Sequence, residues 1–432
     1  HRRRQGRQPV PVADRPKQLL QRQYGVRRHR RRFGWRCTGR REVKAASLPP
    51  HSILPLEELL RPIRDRHGLP ALAAAVIREG RLAGLGAVGV RKAGTETAVT
   101  RDDEFHIGSC TKAMTATVLA TLVDAGKLRW ETTLPEALPD LAETMHAGYR
   151  KVTLLHLLAH RAGLVANAPP GMPFARLHEL LGTPTEQRQA FARALLAVPP
   201  QSAPGEKFLY SNAGYAVAAL VAERAAKKGW RELMRERVFR PLGMASAGFG
   251  AMGTPGKIDQ PWQHVLRDGK LVPIAPGPRS DNPPAYDPAG RVHCSMADWA
   301  KFVAAHLDGP RGRACGLRLK PETWRRLHTP PFGGDYALGW GTPQRSWGGG
   351  AVLTHAGSNT MNYAVVWVAP KRDFAVLVAT NLGGGPAPKA CDEAAWLLIQ
   401  ELLLKPGASS RPSRTPPPGG PPSTTASRPT RT

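Results

Sequence analysis

Apolar and polar positions follow three successive patterns along this chain. In the first, Leu56, Leu59, Leu60 and Ile63 fall on one helical face, and the helix is expected to stop before His67-Gly68. A short apolar run at 71–77 then reads as a strand, Glu79-Gly80 as a tight turn and the Gly-rich stretch 82–90 as a second strand. Together they predict a β-hairpin. In the second pattern the period lengthens. From Thr111 onward, Met114, Val118, Leu119, Leu122 and Val123 share one side of a helix that Gly126 is placed to cap. Helix and loop signals then continue to about residue 345, among many Pro and Gly residues. The third pattern is strand again. Residues 351–354, 362–368 and 374–380 are apolar or β-branched, with Pro370-Lys371-Arg372-Asp373 as the turn between the last two. A final helix is expected over 388–404, with Ala394, Ala395, Leu398 and Leu402 on its apolar side.

Strands at both ends around a helical middle predict an α/β fold of the α+β kind. One antiparallel sheet is assembled from 70–100 and 350–381 and covered by the first and last helices. The mostly helical region, about 109–345, is inserted as a second domain, and the folded body spans 53–404. A catalytic cleft is expected between the two parts, a common place for a ligand.

Composition changes this picture only at the ends. Of 432 residues, 41% are hydrophobic and 22% charged, which permits a sizeable core and excludes global disorder. No uncharged apolar run approaches the roughly 18 residues of a membrane-spanning helix. The net charge of +29 would suggest a polyanion partner, but it is concentrated in the tails. Residues 1–45 carry 16 Lys and Arg against two acids, Asp14 and Glu42. Residues 405–432 carry five basic residues and no acid, which leaves +10 for the body. The N-terminal Arg clusters could grip phosphates, but no aromatic interleaving or helical period accompanies them. A solvated tail is the plainer reading, and nucleic acid is not an expected partner. The Pro-, Ser- and Thr-rich stretch 405–432 is expected to be disordered. Five scattered cysteines (Cys37, Cys110, Cys294, Cys315 and Cys391) form no C-x-x-C pair, so neither a disulfide framework nor a zinc site is expected. The first 45 residues lack the apolar segment of a secretory signal, and nothing selects between cytoplasm and export or fixes an oligomeric state.

Three short segments carry chemistry. Ser109-Cys110-Thr111-Lys112 sits at a strand-to-helix switch, where a spacing of three puts hydroxyl and amine on one face. A serine hydroxyl attacks only when a base takes its proton, and a lysine serves only when its pKa falls through desolvation or a nearby cation. The same helix start offers backbone N–H groups to an oxyanion. Tyr210-Ser211-Asn212 precedes a second helix. A tyrosine there can pass a proton between nucleophile and leaving group, while Asn212 is equally placed as the N-cap. His355-Ala356-Gly357-Ser358 ends a strand pattern, where Gly allows close approach of a substrate backbone and the strand edge offers N–H groups.

In this order the three segments resemble the motif set of the serine β-lactamase and penicillin-binding protein superfamily: S-x-x-K, then Y-x-N, then H-x-G. The Tyr and His forms are similar to the class C β-lactamase-related branch, with its carboxylesterases of the family VIII type, D-amino-acid peptidases and penicillin-binding-protein-like hydrolases. Further segments share the likeness: Phe105-His106-Ile107-Gly108, the stretch from Leu157 to Leu164, Pro241-Leu242-Gly243-Met244 and Pro288-Ala289-Gly290. It extends over about 53–404. The resemblance implies Ser109 as the acylated nucleophile, Lys112 and Tyr210 as the proton-transfer pair, and Asn212 against the substrate amide or Lys112. It implies that His355 and Gly357 line the cleft opposite, and that the N–H groups of Ser109 and Ser358 form the oxyanion hole. It implies no metal or organic cofactor.

Two departures bear on substrate. Arg161-Ala162 stands where relatives usually carry Thr-Ser or Gln-Ser. His355 replaces the Lys of some relatives, and an imidazole mostly neutral at pH 7 is a poorer anchor for a β-lactam carboxylate. The expected activity is therefore hydrolysis of small esters or amides through an acyl-enzyme. A β-lactamase, a D,D-carboxypeptidase or penicillin-binding protein is the alternative within the class. An inert ligand-binding relative is the alternative outside it. Specificity is expected in the loops near 165–185 and 250–285.

Overall fold

The computed structural model describes residues 53–405. The basic tail 1–45 and, apart from Lys405, the C-terminal tail lie outside the described residues. The main sheet has six strands: β1 (Leu54–Pro55), β2 (Ala71–Arg78), β3 (Arg81–Gly89), β4 (Leu353–Ser358), β5 (Tyr363–Ala369) and β6 (Phe374–Thr380), in the order β1-β3-β2-β6-β5-β4. The five long strands are antiparallel, and the two-residue edge β1 pairs with β3 in parallel. The two chain ends meet at the centre, where Val76 of β2 faces Val376 of β6. The β2–β3 turn is made by Glu79 (φ 53°) and Gly80 (φ 72°). Two consecutive left-handed residues of this kind match the twist of the flanking strands.

Period-two alternation divides the core. Ala71, Ala73, Ala75 and Ile77 of β2, with Ala375, Leu377 and Ala379 of β6, face the helical layer. Leu72, Ala74 and Val76, with Phe374, Val376 and Val378, face the helices of the two chain ends. Those are α1 (Glu57–Arg66), which buries Leu60 and Ile63, and the long C-terminal helix over Ala387–Ile399, which buries Ala394 and Leu398. A strand covered on both sides is apolar along most of its length, and β6 is buried throughout, with its one polar residue, Thr380, donating its hydroxyl to the Ala71 carbonyl at 2.6 Å. Each fully buried Leu or Phe side chain contributes about 1.5–3 kcal/mol.

On the inner face three helices matter for the site: α2 (Thr111–Asp124), α3 (Asn212–Ala226) and α4 (Met296–Asp308). The small alanines of β2 let α4 approach the sheet closely. The apolar spacing from Met114 to Val123 predicts one apolar face for α2. Instead the helix is buried almost all round, including Thr115 and Thr117, whose hydroxyls donate to the carbonyls of Pro288 (2.8 Å) and Ala113 (2.9 Å). A helix enclosed on all sides needs its polar side chains satisfied internally.

Other expectations shift by a few residues. The strand expected at 351–354 runs Leu353–Ser358, so His355 lies within it and not at its end. Ser211, not Asn212, caps α3. Its hydroxyl accepts from the Gly214 N–H at 2.9 Å, and Asn212 is the first helical residue. The middle region also contains short strands: Glu104–His106 and Gly248–Phe249 flank Val292–Ser295, and Gln263–Arg267 pairs with Lys270–Ile274. No described helix is long and apolar enough to cross a membrane.

Candidate active site

The nucleophile turn is clamped between two backbones. The strand Glu104–His106 leads through Ile107 into the single turn Gly108–Cys110, from which α2 starts. Gly108 holds φ +49°, and a Cβ there would collide with the Ser358 nitrogen. A Cβ on Gly357 would lie 2.7 Å from the Ser109 nitrogen and strike the Ile107 carbonyl. The glycines on both sides therefore let the turn press against β4 and bring the amides of Ser109 and Ser358 to one seam. The Cys110 thiol donates to the His355 carbonyl across it at 3.4 Å. Ser109 is half-buried and Ser358 exposed, so a substrate can reach this seam.

Lys112 is fully buried, and its Nζ has three oxygen neighbours: Ser109 Oγ at 2.9 Å, Asn212 Oδ1 at 2.7 Å and the Ala289 carbonyl at 2.6 Å. Burial pulls its pKa well below the usual lysine value. Asn212 is oriented by Asn167, whose Oδ1 accepts from Asn212 Nδ2 at 2.9 Å. The carboxamide oxygen is thereby turned toward the lysine. Two of the three neighbours only accept hydrogen bonds. A neutral amine satisfies both with its two hydrogens and turns its lone pair toward the third, the Ser109 hydroxyl, which can donate.

Tyr210 is half-buried, with its ring centroid 4.8 Å from Lys112 Nζ. His160 holds it from both sides in sequence. The His160 carbonyl accepts from Leu209 N–H at 2.8 Å, and its Nδ1 accepts from Ser211 N–H at 3.0 Å. The rings of His160 and Tyr210 are 4.3 Å apart. His160 has φ +58°, a left-handed conformation costing a non-glycine residue about 1–3 kcal/mol. Since Nδ1 is an acceptor, the ring proton is on Nε2, which donates to the Tyr336 hydroxyl at 3.2 Å. Tyr336 in turn donates to His355 Nε2 at 3.2 Å, and His355 Nδ1–H donates to its neighbour's carbonyl, Ala356, at 2.7 Å. His355 is thus 2% exposed and bonded within the protein. Burial, then the nearby Lys112 charge, lowers its pKa to about 3. The same two causes, in the same order, lower His160 well below the ordinary value.

The structure therefore gathers Ser109, Lys112, Tyr210 and Asn212 around one amine, with Gly357 and Ser358 along the seam and His355 behind them. The sequence does not single out His160 or Tyr336. His160 lies in the stretch from Leu157 to Leu164, which shares the family likeness without pointing to a role for it, and Tyr336 lies in a loop without a periodic signal. Arg161 is half-buried and donates to the Glu206 carbonyl at 3.2 Å. It lines a cavity of about 170 Å³ with Phe208, Phe332 and Tyr336. Among the described residues no cluster of three or more His, Cys, Asp or Glu could hold a metal ion.

The sequence model of the family described as Beta-lactamase matches residues 56–401. The chain belongs to the Beta-lactamase family. Members of this family are hydrolases, and the chain shares their fold. It is 28% identical over 352 residues to Penicillin-binding protein 4 of Amycolatopsis lactamdurans, a match covering 76% of this chain and 84% of that one. It is 27% identical over 337 residues to Unguisins hydrolase ungD' of Aspergillus campestris, covering 75% and 60%. Among solved structures, a D-stereospecific amidohydrolase from Streptomyces sp. superposes with TM-score 0.60 at 22% identity, covering 79% of this chain and 97% of that one. EstCE1, a hydrolase with promiscuous acyltransferase activity, gives 0.65 at 19% with the same coverage. An octameric penicillin-binding protein homologue from Pyrococcus abyssi gives 0.63 at 22%, covering 81% and 78%.

Proposed function

We propose that this member of the Beta-lactamase family is a serine hydrolase that forms an acyl-enzyme on Ser109 and acts on small esters or amides. The observation that carries this reading is the hydrogen-bond environment of Lys112: buried, with two acceptor-only partners and the Ser109 hydroxyl as the third. In that setting Lys112 takes the Ser109 proton as Oγ bonds to the substrate carbonyl carbon. The N–H groups of Ser109 and Ser358 stabilise the negative oxygen of the tetrahedral intermediate. When the intermediate collapses, the bond to the leaving alcohol or amine breaks, and Tyr210 relays the proton from Lys112 to it. Water then attacks the acyl-enzyme. The water gives a proton to the Lys112–Tyr210 pair as its oxygen bonds to the acyl carbon. The bond from Ser109 Oγ to the acyl group then breaks, the carboxylic acid leaves, and that proton passes to Ser109 Oγ.

The similarity to Penicillin-binding protein 4 makes a β-lactamase or D,D-peptidase the second reading. The buried, neutral His355 weighs against it, because no fixed cation stands at that position for a β-lactam carboxylate. Intact mass spectrometry after incubation with a fluorophosphonate and, separately, with a penicillin tests both readings. The ester or amide hydrolase gains one phosphonyl group on Ser109 and little or no penicilloyl. Rapid stoichiometric penicilloylation favours the second reading, and no adduct with either reagent contradicts both.

A further inference from the structure

A buried ionic network behind the nucleophile turn has no part in the chemistry above. Its centre is Asp281, whose side chain is 1% exposed, in a loop otherwise rich in Pro and Gly. Asp281 Oδ2 accepts from His106 Nε2 at 3.0 Å and Arg291 Nε at 3.2 Å. Its Oδ1 accepts from Asn359 Nδ2 at 2.9 Å and from the backbone N–H of Asn282 at 2.7 Å. Burial alone would raise this carboxyl, but His106, Arg291 and Asn359 outweigh it and hold it well below the usual range. Each of these three contacts leads one step further, to a different side of the site.

His106 Nδ1 accepts from the Gly108 N–H at 3.1 Å, so the ring bridges Asp281 to the residue before the nucleophile. Asn359 directly follows Ser358, and its Oδ1 accepts from the N–H groups of Met361 (3.2 Å) and Asn362 (2.9 Å), which fixes the turn leaving β4. Arg291 Nη1 donates to Asp287 at 2.6 Å, and Asp287 opens the helical turn Asp287–Gly290 that presents the Ala289 carbonyl to Lys112. One carboxylate is thus connected to the Ser109 turn, to the Ser358 strand end and to the acceptor of the lysine.

From this convergence we infer that Asp281 is a positioning residue. Through His106 and Asn359 it sets the separation of the two N–H groups that receive the oxyanion, and through Arg291 and Asp287 it fixes the acceptor that orients Lys112. The inference rests on Ser109 being the nucleophile. A displaced donor loses transition-state stabilisation without losing ground-state binding. Removal of a whole oxyanion donor costs roughly 10²–10³-fold in kcat, so displacement of one is expected to cost about 10–100-fold.

The test compares Asp281→Asn, His106→Asn and His106→Ala with the unsubstituted protein. It uses a p-nitrophenyl ester and a phenylboronic acid, which a serine nucleophile binds as a tetrahedral adduct. For Asp281→Asn and His106→Ala we expect kcat to fall about 10–100-fold, KM to move less than about threefold, and boronate affinity to fall by the same factor as kcat/KM. His106→Asn, whose Oδ1 can still accept from Gly108 N–H, should fall between His106→Ala and the unsubstituted protein. A merely structural role would lower the melting temperature without this parallel loss. If Asp281→Asn does not fold, the two His106 variants decide. A folded Asp281→Asn or His106→Ala with unchanged kcat and boronate affinity overturns the inference alone. A Ser109 in the unsubstituted protein that takes no fluorophosphonate overturns the nucleophile assignment and this inference together.

Discussion

The hydroxyl of Tyr336 donates to Nε2 of His355 at 3.2 Å, so this imidazole is bonded within the protein and does not act as a free cation at the cleft. With its pKa lowered to about 3 by burial first and by the Lys112 charge second, it stays neutral through the ordinary working range. The ratio of kcat/KM for a penicillin to that for p-nitrophenyl butyrate should therefore stay within about twofold between pH 7.5 and 5.5. A rise approaching tenfold toward acid, as a carboxylate gains a charged partner, would mean that His355 titrates there and faces the substrate.

Lys112 must be neutral to accept a proton, and burial lowers its pKa. Below that lowered value it is protonated, so kcat/KM should decline toward acid and reach a plateau toward alkaline pH. Lys112→Arg keeps a cation that does not deprotonate and should lose about 10³-fold or more. Lys112→Ala and Tyr210→Phe should be similarly severe, and the double variant little worse than either, because coupled groups are not additive. Additive losses in a double-mutant cycle would separate the two roles.

The seam between the nucleophile turn and β4 tolerates no side chain at 357. Gly357→Ala would drive a methyl to 2.7 Å from the Ser109 nitrogen and into the Ile107 carbonyl. The turn must shift, and kcat should fall by about 10²-fold or more, the scale of a lost oxyanion donor. Burst amplitude and melting temperature of this variant check it. Retained kcat would mean that the two backbones are not the oxyanion site.

Stability should fall on mild acidification. His160, His306 and His355 are buried, and burial lowers the pKa of each below the unfolded value of about 6.5. The unfolded chain thus binds more protons below pH 6.5, so their contribution is complete above that pH and is lost as pH falls toward each folded pKa. Each imidazole loses on the order of 1 kcal/mol per pH unit once the unfolded chain is protonated and the folded one is not. Glu104, raised to about 7 by burial and by Asp103, and Asp392, raised to about 6 by burial, act in the opposite direction, and two carboxyls do not offset three imidazoles. The urea midpoint should be clearly lower at pH 5 than at pH 7. An equal or higher midpoint at pH 5 would contradict the neutral burial of these histidines.

Periodicity and motif spacing made much of this legible. The β2–β3 hairpin, the strands from both chain ends, α2 and the grouping of Ser109 with Lys112 all followed from local pattern, because each involves neighbours within a few residues or one helical turn. The six-residue strand Leu353–Ser358 extends past the apolar run because His355, Gly357 and Ser358 carry no apolar side chain to mark it. Ser211 and Asn212 are both good caps, and only the observed Ser211–Gly214 bond selects between them. The pair Gln263–Arg267 and Lys270–Ile274 is a local hairpin, whose turn Asp268-Gly269 is itself a sequence signal. The strands Glu104–His106, Gly248–Phe249 and Val292–Ser295 by contrast depend on partners far apart in sequence, as do the contacts of His160, Tyr336 and Asp281. The His106–Asp281 pair spans 175 residues, and no local period records such a contact.

The central claim is a covalent acyl group on Ser109, and acid-quenched turnover of p-nitrophenyl butyrate tests it most directly. At millisecond times a burst of about one p-nitrophenol per protein molecule is expected. Peptide mass spectrometry should then find a butyryl group on the peptide containing Ser109, and Ser109→Ala should show neither burst nor adduct while keeping its fold. Linear product release without an adduct, or near-normal turnover by Ser109→Ala, would contradict it.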